Sequence, residues 1–259
     1  MVYRSDGTNN LDSLSRITHI WIQRSAACTF DFNLHIDTRS DPTPPELLIP
    51  LIDLLLAACT RWGCVLINLC SYDEDDFDSE HWGDVGTCRF PRLERLIVSA
   101  SHNVFQHVNR RLNIKPSTTP ALRSFNVRAG SSLAPVSRPL DASFNALTEL
   151  SISSFASRED IFHVMSQCVR VQKLYIDMGR IMIGPPLSHV MDIYLPHLSS
   201  LYVVSHSGFE GLMDGWNFPS LRSLWIRLEW KVYGEDEQGE QIAVGAPRWP
   251  QVAFQQFIM

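Results

Sequence analysis

The chain lacks any apolar run long enough to cross a membrane. A transmembrane helix needs about 20 consecutive apolar residues, whereas the longest candidate, residues 47–59, is interrupted by Pro50 and Asp53. Residues 1–10 also lack the apolar stretch of a secretory signal. We therefore expect a soluble protein without a membrane partner, located in the cytoplasm or the nucleus.

Positive charge is scarce as well. The 259 residues include 22 lysines and arginines against 28 aspartates and glutamates, which gives a formal net charge of -6. Such a chain offers no general electrostatic attraction to a nucleic acid or to an anionic membrane surface. We therefore predict that nucleic acid is not a partner.

Cysteine pairs with metal-binding spacing are missing. The six cysteines include no C-x-x-C pair, and the sequence has neither a Walker loop nor a G-x-G-x-x-G motif. In a chain of this length the cysteines are expected to be small buried apolar side chains rather than a disulfide framework or a zinc site. We predict no metal site and no cofactor. The cysteines are Cys28, Cys59, Cys64, Cys70, Cys88 and Cys168.

Recognisable catalytic arrangements are absent from the sequence too. Ser205 and His206 are adjacent, so on a strand their side chains point to opposite faces, and no G-x-S-x-G elbow surrounds them. His102 and His107 are five residues apart, which does not align two ligands on one helix face. The acidic run Asp73–Glu80 fits no calcium-loop register and is predicted to be a solvated loop. We expect no catalytic residues and no enzymatic activity.

What the chain does contain is one motif in six copies. It reads L-x-x-L-x-[VI], in which the last two aliphatics alternate as they do on a strand. The steps between successive central residues are 29, 25, 24, 27 and 23 residues, a period typical of leucine-rich repeats, which run roughly 20 to 29 residues. The copies are Leu93/Leu96/Val98, Leu122/Phe125/Val127, Leu147/Leu150/Ile152, Val171/Leu174/Ile176, Leu198/Leu201/Val203 and Leu221/Leu224/Ile226.

Two helix and strand units precede these copies. Leu14 to Arg24 has a helical period, Phe30 to Ile36 alternates like a strand, and Glu46 to Thr60 is predicted to be a helix. A further copy of the motif, Trp62/Val65/Ile67, follows. On the first helix the apolar face is formed by Leu14, Ile17, Ile20 and Trp21, and on the second the inward residues are Leu47, Leu48, Leu51, Leu54, Leu55 and Ala58.

The connectors between the copies are irregular. Arg128 to Leu140 is predicted to be a loop, Ser157 to Gln167 a capped helix, and Trp230 to Ala246 a protruding hairpin. A proline opens four of the six copies, where it can precede a strand without removing a ladder hydrogen bond. These prolines are Pro91, Pro120, Pro196 and Pro219.

These patterns together predict an α/β fold. We expect one domain over residues 1–259, an irregular leucine-rich-repeat-like solenoid with a curved parallel sheet and helices or loops on its convex side. The solenoid is irregular because the Asn or Cys that follows the strand in the commonest repeat is replaced. The six positions hold Ser101, Gly130, Phe155, Gly179, His206 and Glu229.

The order of these elements resembles the repeat region of F-box proteins that are expanded in fungi. The resemblance rests on residues 20–25, the strand from Phe30, residues 54–62 and the run from Phe90 to Leu96, and it covers essentially the whole chain. It implies a repeat region that holds a protein substrate, while an F-box docks on the linker subunit of a cullin ubiquitin ligase.

No stretch before Leu11 can hold an F-box, and residues 45–62 are too few for its three helices. We therefore expect contact with the linker subunit only if an F-box is supplied upstream. The alternative is a free-standing repeat scaffold without a ubiquitin connection.

A partner surface is predicted on the concave side of the sheet. Residues between and beside the buried aliphatics point there, and in the last three copies Tyr175, Tyr202 and Trp225 form one column. Trp, Tyr and Arg are enriched at interface hot spots. Two alternatives remain: the strip is covered by the chain itself, through residues 230–246 or the tail with Trp249, or it is exposed incidentally. The predicted partner-binding residues are Lys173, Tyr175, Tyr202, Trp225, Arg227 and Arg128.

Overall fold

The computed structural model describes ten segments of the chain. They are residues 9–37, 45–70, 88–100, 118–129, 146–153, 165–178, 192–205, 215–228, 233–235 and 241–243. Two complete helices lie in these segments, α1 Asn9–Arg24 and α2 Pro45–Ala57, and a 3-10 turn follows α2 at Cys59–Arg61. Residues 165–167, the end of the predicted helix Ser157–Gln167, are helical as well. The strands are β1 Phe30–Asp37, β2 Trp62–Cys70, β3 Arg95–Ala100, β4 Ser124–Ala129, β5 Glu149–Ser153, β6 Lys173–Asp177, β7 Ile193–Tyr194, β8 Ser200–Ser205, β9 Trp216–Asn217, β10 Ser223–Leu228, β11 Tyr233–Glu235 and β12 Gln241–Ala243.

Eight strands form one parallel sheet in the order β1-β2-β3-β4-β5-β6-β8-β10. The sheet is open, with β1 and β10 as its edges among the described strands. The prediction of an α/β fold with a parallel sheet is confirmed at this level. Strands β7 and β9 pair in parallel beside the main sheet, and β11 pairs with β12 in antiparallel fashion.

The sheet register reproduces the repeat. Each central aliphatic of the motif lies opposite the central aliphatic of the next copy. A one-residue slip would turn every one of these side chains to the other face, so their burial fixes the register. The row consists of Val65, Leu96, Phe125, Leu150, Leu174, Leu201 and Leu224. All are buried except Leu224, which is partly buried on the edge strand β10.

A second regular feature lies in the backbone just before each strand. The carbonyl of Glu94 accepts the N–H groups of both Arg123 and Ser124, and the carbonyl of Arg123 accepts those of Thr148 and Glu149. The carbonyls of Thr148, Gln172 and Ser199 likewise each accept two N–H groups from the next copy. The N···O distances in the whole series are 2.8 to 3.0 Å. We call this series the carbonyl ladder. It links consecutive copies through main-chain atoms, and at two steps a side-chain hydroxyl adds to it, from Thr148 to the Arg123 carbonyl at 3.2 Å and from Ser199 to the Gln172 carbonyl at 3.0 Å.

The ladder starts at Gly63, whose carbonyl accepts the N–H of Glu94 at 2.8 Å. The Asp31 side chain closes over this point and accepts the N–H of Cys64 at 2.6 Å. A Cβ at Gly63 would lie 2.6 Å from Asp31 Oδ1 and 2.8 Å from Thr29 Cγ2. A larger residue at this position would therefore force the side chains of Asp31 and Thr29 to move.

A tight turn precedes the main-sheet strands β3, β4, β6, β8 and β10. The first aliphatic of the copy donates its N–H to the carbonyl three residues earlier, as Leu93 does to Phe90 at 3.2 Å. Pro91, Pro120, Pro196 and Pro219 occupy the second position of this turn, where their fixed φ is favourable. The prediction that these prolines precede the strands is confirmed. In the copy of Val171, which has no proline, the N–H bonds to Cys168 at 3.1 Å in the same way.

Helices α1 and α2 pack together beside β1 and β2. Arg61 ties α1 to the sheet, since its guanidinium donates to the carbonyls of Ile22 at 3.2 Å and Cys28 at 3.1 Å and lies over the Phe30 ring. The predicted helices and the strand from Phe30 are confirmed, with small shifts in their ends. Helix α2 ends at Ala57 instead of Thr60 because i to i+3 bonds take over there, including Arg61 to Ala58.

The apolar face predicted for α1 is only partly buried. Leu14 lies in the core, whereas Ile17, Ile20 and Trp21 are exposed. On α2, Leu51 and Leu55 are buried as predicted and Leu54 is partly buried, and Ala58 just after the helix is buried too. The side chains of Leu47 and Leu48 lie outside the described residues.

The predicted hairpin near the end of the chain is confirmed by the pairing of β11 with β12. The predicted loop from Arg128 is wrong at its start, because Arg128 and Ala129 extend β4 by pairing with Ser99 and Ala100 of β3. The rest of that loop, most of the predicted helix Ser157–Gln167 and the acidic run Asp73–Glu80 lie outside the described residues, as do the six positions that replace the repeat asparagine.

The cysteines are divided between core and surface. Cys59, Cys88 and Cys168 are buried, as predicted, and burial raises the pKa of Cys168 to about 12. The prediction is wrong for Cys28, which is exposed on the link between α1 and β1, and Cys64 is only partly buried on β2. In the described segments, no three His, Cys, Asp or Glu side chains are grouped so that they could hold a metal ion.

Neither described helix combines the length and the apolar character that a membrane crossing needs.

Candidate functional site

The main sheet has one face that lies outside the core cluster, and we call it the open face, although Ser153 and Val204 on it are buried. On strands β3 to β10 it carries the residues that alternate with the buried aliphatics. The rows are Arg95/Ile97/Ser99, Ser124/Asn126/Arg128, Glu149/Ser151/Ser153, Lys173/Tyr175/Asp177, Ser200/Tyr202/Val204 and Ser223/Trp225/Arg227. All six predicted partner-binding residues belong to these rows. The structure therefore brings them together on one face.

The three aromatic residues of the open face lie on neighbouring strands. Tyr175 is opposite Tyr202, and Tyr202 is opposite Trp225. The two tyrosine rings are stacked, with centroids 4.8 Å apart and planes 14° from parallel. Trp225 is 66% exposed, so none of the described segments covers this ring. We call Tyr175, Tyr202 and Trp225 the aromatic strip.

A groove of about 420 Å³ runs across the open face. It crosses five strands, from Ser124 and Asn126 on β4 to Trp225 on β10. Serines line much of it, namely Ser124, Ser151, Ser200 and Ser223. The aromatic strip lines the part of the groove on β6, β8 and β10.

Three charged side chains form a cluster along the side of the groove where the strands begin. Lys173 Nζ lies 2.7 Å from Glu149 Oε1, and Arg95 lies 3.7 Å from Glu149 Oε2. The hydrogen bond from Lys173 is the main reason that the pKa of Glu149 falls below its ordinary value, against a smaller opposing effect of burial. Lys173 is thus already paired, which its prediction as a partner-binding residue did not include.

The other charged residues lie near the opposite ends of the strands, around Tyr175. Partial burial raises the pKa of the Tyr175 hydroxyl, and the charge of Asp177 and the Tyr202 hydroxyl act in the same direction. Arg128 and Arg227 act against this rise, and the register places each of them two strands from Asp177, in the same row across the sheet. The aromatic strip therefore has cations at its side.

Asn126 is a site residue that the sequence patterns did not single out. Its Oδ1 atom is buried at the base of the groove and has no hydrogen-bond partner. A buried carbonyl without a donor costs about 1 to 3 kcal/mol. Glu149 was missed too, although both positions belong to the open-face rows. The signal that could have found Glu149 is its register opposite Lys173.

A smaller, apolar cavity of about 230 Å³ lies between α1, α2 and the edge strand β1. Its walls include Leu14 and Trp21 from α1, Phe32 and Leu34 from β1, and Leu55 from α2. The exposed side chains Ile17 and Trp21 belong to the same walls. Their exposure leaves this end of the sheet less well packed than its middle.

The residues considered for catalysis do not form a site in the described structure. Ser205 is completely buried at the end of β8, while His206, His102 and His107 lie outside the described residues. Comparison of the chain with family models, with curated proteins and with solved structures finds no match. The open face is therefore the best-defined candidate site, and its interpretation rests on its own chemistry.

Proposed function

We propose that the chain is an irregular leucine-rich-repeat-like solenoid that binds a protein partner on its open face. The observation that carries the proposal is the aromatic strip, in which a stacked tyrosine pair leads to an exposed tryptophan with two arginines close by. Large aromatic side chains and arginine supply most of the binding free energy at protein interfaces. An exposed Trp225 beside a groove gains from burial against a partner.

The repeat itself supports the solenoid part of the proposal. The motif, the sheet register and the carbonyl ladder all have the same period, so each copy contacts its neighbours in the same way. In repeat proteins this arrangement produces a long binding surface made of side chains from successive copies. The rows of the open face are such a surface.

We further propose that the partner is a substrate, held as in the F-box subunit of a cullin ubiquitin ligase. This part rests on the resemblance in the order of the elements. It requires an F-box to be joined upstream in the full gene product. A scaffold without a ubiquitin connection would use the same open face.

The binding surface is tested by changing Tyr202 and Trp225 together to alanine. We expect the double variant to keep its cooperative unfolding transition and to lose binding to partners that co-purify with the wild-type chain. The control is Tyr194→Ala, because Tyr194 is 59% exposed but lies on β7, outside the open face. Unchanged binding by the double variant, or an effect of the control as large as its own, would contradict the proposal.

The link to ubiquitin is tested by affinity purification of the full-length product, with the bound proteins identified by mass spectrometry. We expect the cullin and its linker subunit to co-purify. If a folded bait retains partners that depend on Tyr202 and Trp225 but neither ligase subunit, the open-face proposal stands and the ligase role is rejected.

A further inference from the structure

On strands β3 to β10 the open face carries more cationic than anionic side chains, whereas the whole chain is acidic. Across these strands the open face carries four cationic side chains and two carboxylates, whereas the chain has a net charge of -6. The cations are Arg95, Arg128, Lys173 and Arg227, and the carboxylates are Glu149 and Asp177. A surface with this local excess attracts an acidic partner and repels a basic one.

Arg128 is the cation best placed for such a partner. It is exposed at the end of β4 and near the Tyr175 hydroxyl. Arg95 and Lys173 share the Glu149 carboxylate, but within the described segments no carboxylate forms an ion pair with Arg128. A guanidinium recognises a carboxylate through two parallel hydrogen bonds.

The aromatic strip sets a second requirement on the partner. The stacked rings of Tyr175 and Tyr202 form a flat surface, and Trp225 stands exposed beside them. Aromatic side chains pack on such a surface in offset or edge-to-face geometry and add about 0.5 to 1.5 kcal/mol to the effect of area alone. The partner therefore presents an aromatic or large aliphatic side chain next to its carboxylates.

The groove indicates an extended main chain. It crosses five strands, and with neighbouring parallel strands about 4.8 Å apart it is roughly 19 Å long, the span of about six extended residues. An extended segment of about six residues therefore fits the length of the groove.

From this geometry we infer that the open face recognises an extended acidic peptide segment of a partner protein. One or more carboxylates bind at Arg128, and an adjacent aromatic or large aliphatic side chain packs on the aromatic strip. This inference rests on the proposed function, because it specifies the partner of the same face.

The test is a selection of random peptides displayed on phage against the immobilised wild-type chain. The same library is counter-selected against the Tyr202→Ala/Trp225→Ala variant, so that only peptides bound at the open face are retained. We expect the retained peptides to be enriched in Asp and Glu together with Trp, Phe, Tyr or Leu. A synthetic peptide with the retained consensus is then measured by titration calorimetry.

The role of Arg128 is tested with that peptide. We expect Arg128→Glu to weaken binding about tenfold or more, as loss of a charge-assisted hydrogen bond requires. The control Arg16→Glu changes the net charge equally but lies on exposed α1, and it should leave the affinity within about twofold. Replacing Glu by Gln in the peptide should remove most of the difference between wild type and Arg128→Glu.

The possible failures are distinguishable. Retained peptides that are neutral or basic, with affinity that still depends on Tyr202 and Trp225, overturn the acidic-peptide inference and leave the proposed function standing. If no peptide distinguishes the wild type from the double variant, the acidic-peptide inference is rejected. The proposed function is rejected as well only if co-purifying partners bind the double variant unchanged. Equal effects of Arg128→Glu and Arg16→Glu reject the assignment of Arg128.

Discussion

The sheet holds two groups of aromatic residues, one in the core at the β1 end and one on the open face at the β10 end. In the core, Phe32 and Phe90 contact Trp62 with ring centroids 5.0 and 5.1 Å apart. On the open face, Tyr175 and Tyr202 stack at 4.8 Å. The distances between ring centroids are similar in the two groups. In both, the rings stand on neighbouring strands or on the turns before them, and the spacing of the strands sets the distance. What differs is the side of the sheet, and that follows from the position of each residue relative to the motif.

The two aromatic groups also differ in where their polar atoms lie, inside the core or at the surface. The buried Trp62 donates its indole N–H to the carbonyl of Leu55 at 3.2 Å, as a buried indole requires. The core group otherwise consists of phenylalanines, which have no polar atom to satisfy. The open-face group consists of two tyrosines and a tryptophan, whose polar ends can remain in water or bind a partner. Residue type and exposure therefore agree in both groups.

The largest expected effect separates the two tryptophans. We expect Trp62→Ala to reduce the free energy of unfolding by about 3 to 5 kcal/mol, because it leaves a cavity in a packed core. Trp225→Ala should change it by less than about 1 kcal/mol, since the ring is exposed. Urea unfolding followed by far-UV circular dichroism measures both. Comparable losses would mean that the aromatic strip is part of the core.

A change of intermediate size in the free energy of unfolding is expected when the centre of the sheet is compared with its edge. Leu150 on β5 and Leu224 on β10 hold the same position of the motif, but only Leu150 is fully buried. We expect Leu150→Ala to cost about 2 to 5 kcal/mol and Leu224→Ala clearly less. The same unfolding measurement applies, with Leu150→Ile as a volume-conserving control. An equal cost at the two positions would show that the edge strand is as tightly packed as the centre.

The smallest expected effect is a dependence of stability on pH that arises from Glu149 on the open face. The pKa of Glu149 is lowered, so its ion pair stabilises the fold above the ordinary value of 4.5 and this stabilisation is lost as the pH falls through the folded-state pKa. Glu149→Gln should therefore lower stability near neutral pH, by less than about 1 kcal/mol for so exposed a pair. Unfolding curves of both proteins should converge in acid. A difference that grows on acidification would contradict this sign.

Much of the sheet could be predicted because its signals are local. The two-residue period of a strand separates core from surface at every copy, and so Leu96 or Val127 could be placed in the core from the motif alone. The rows of the open face followed by the same rule. The prolines marked the turns before the strands because proline fixes one backbone angle wherever it occurs.

The features that could not be predicted depend on neighbours that are distant in sequence. The burial of Leu14 and the exposure of Ile17 on one helix depend on which side of α1 meets α2 and β1. Pairing of Lys173 with Glu149 needs the register of β5 with β6. The carbonyl ladder leaves no trace in side-chain patterns, because any residue except proline can donate and every residue can accept.

That ladder has a consequence for how the molecule can change. Because main-chain atoms make the joint between copies, the joint does not depend on which side chains stand on the open face. The side chains of one row can then be substituted without those of the others, while the spacing between the strands stays constant. A new binding preference needs a few substitutions on one surface and no redesign of the support beneath it.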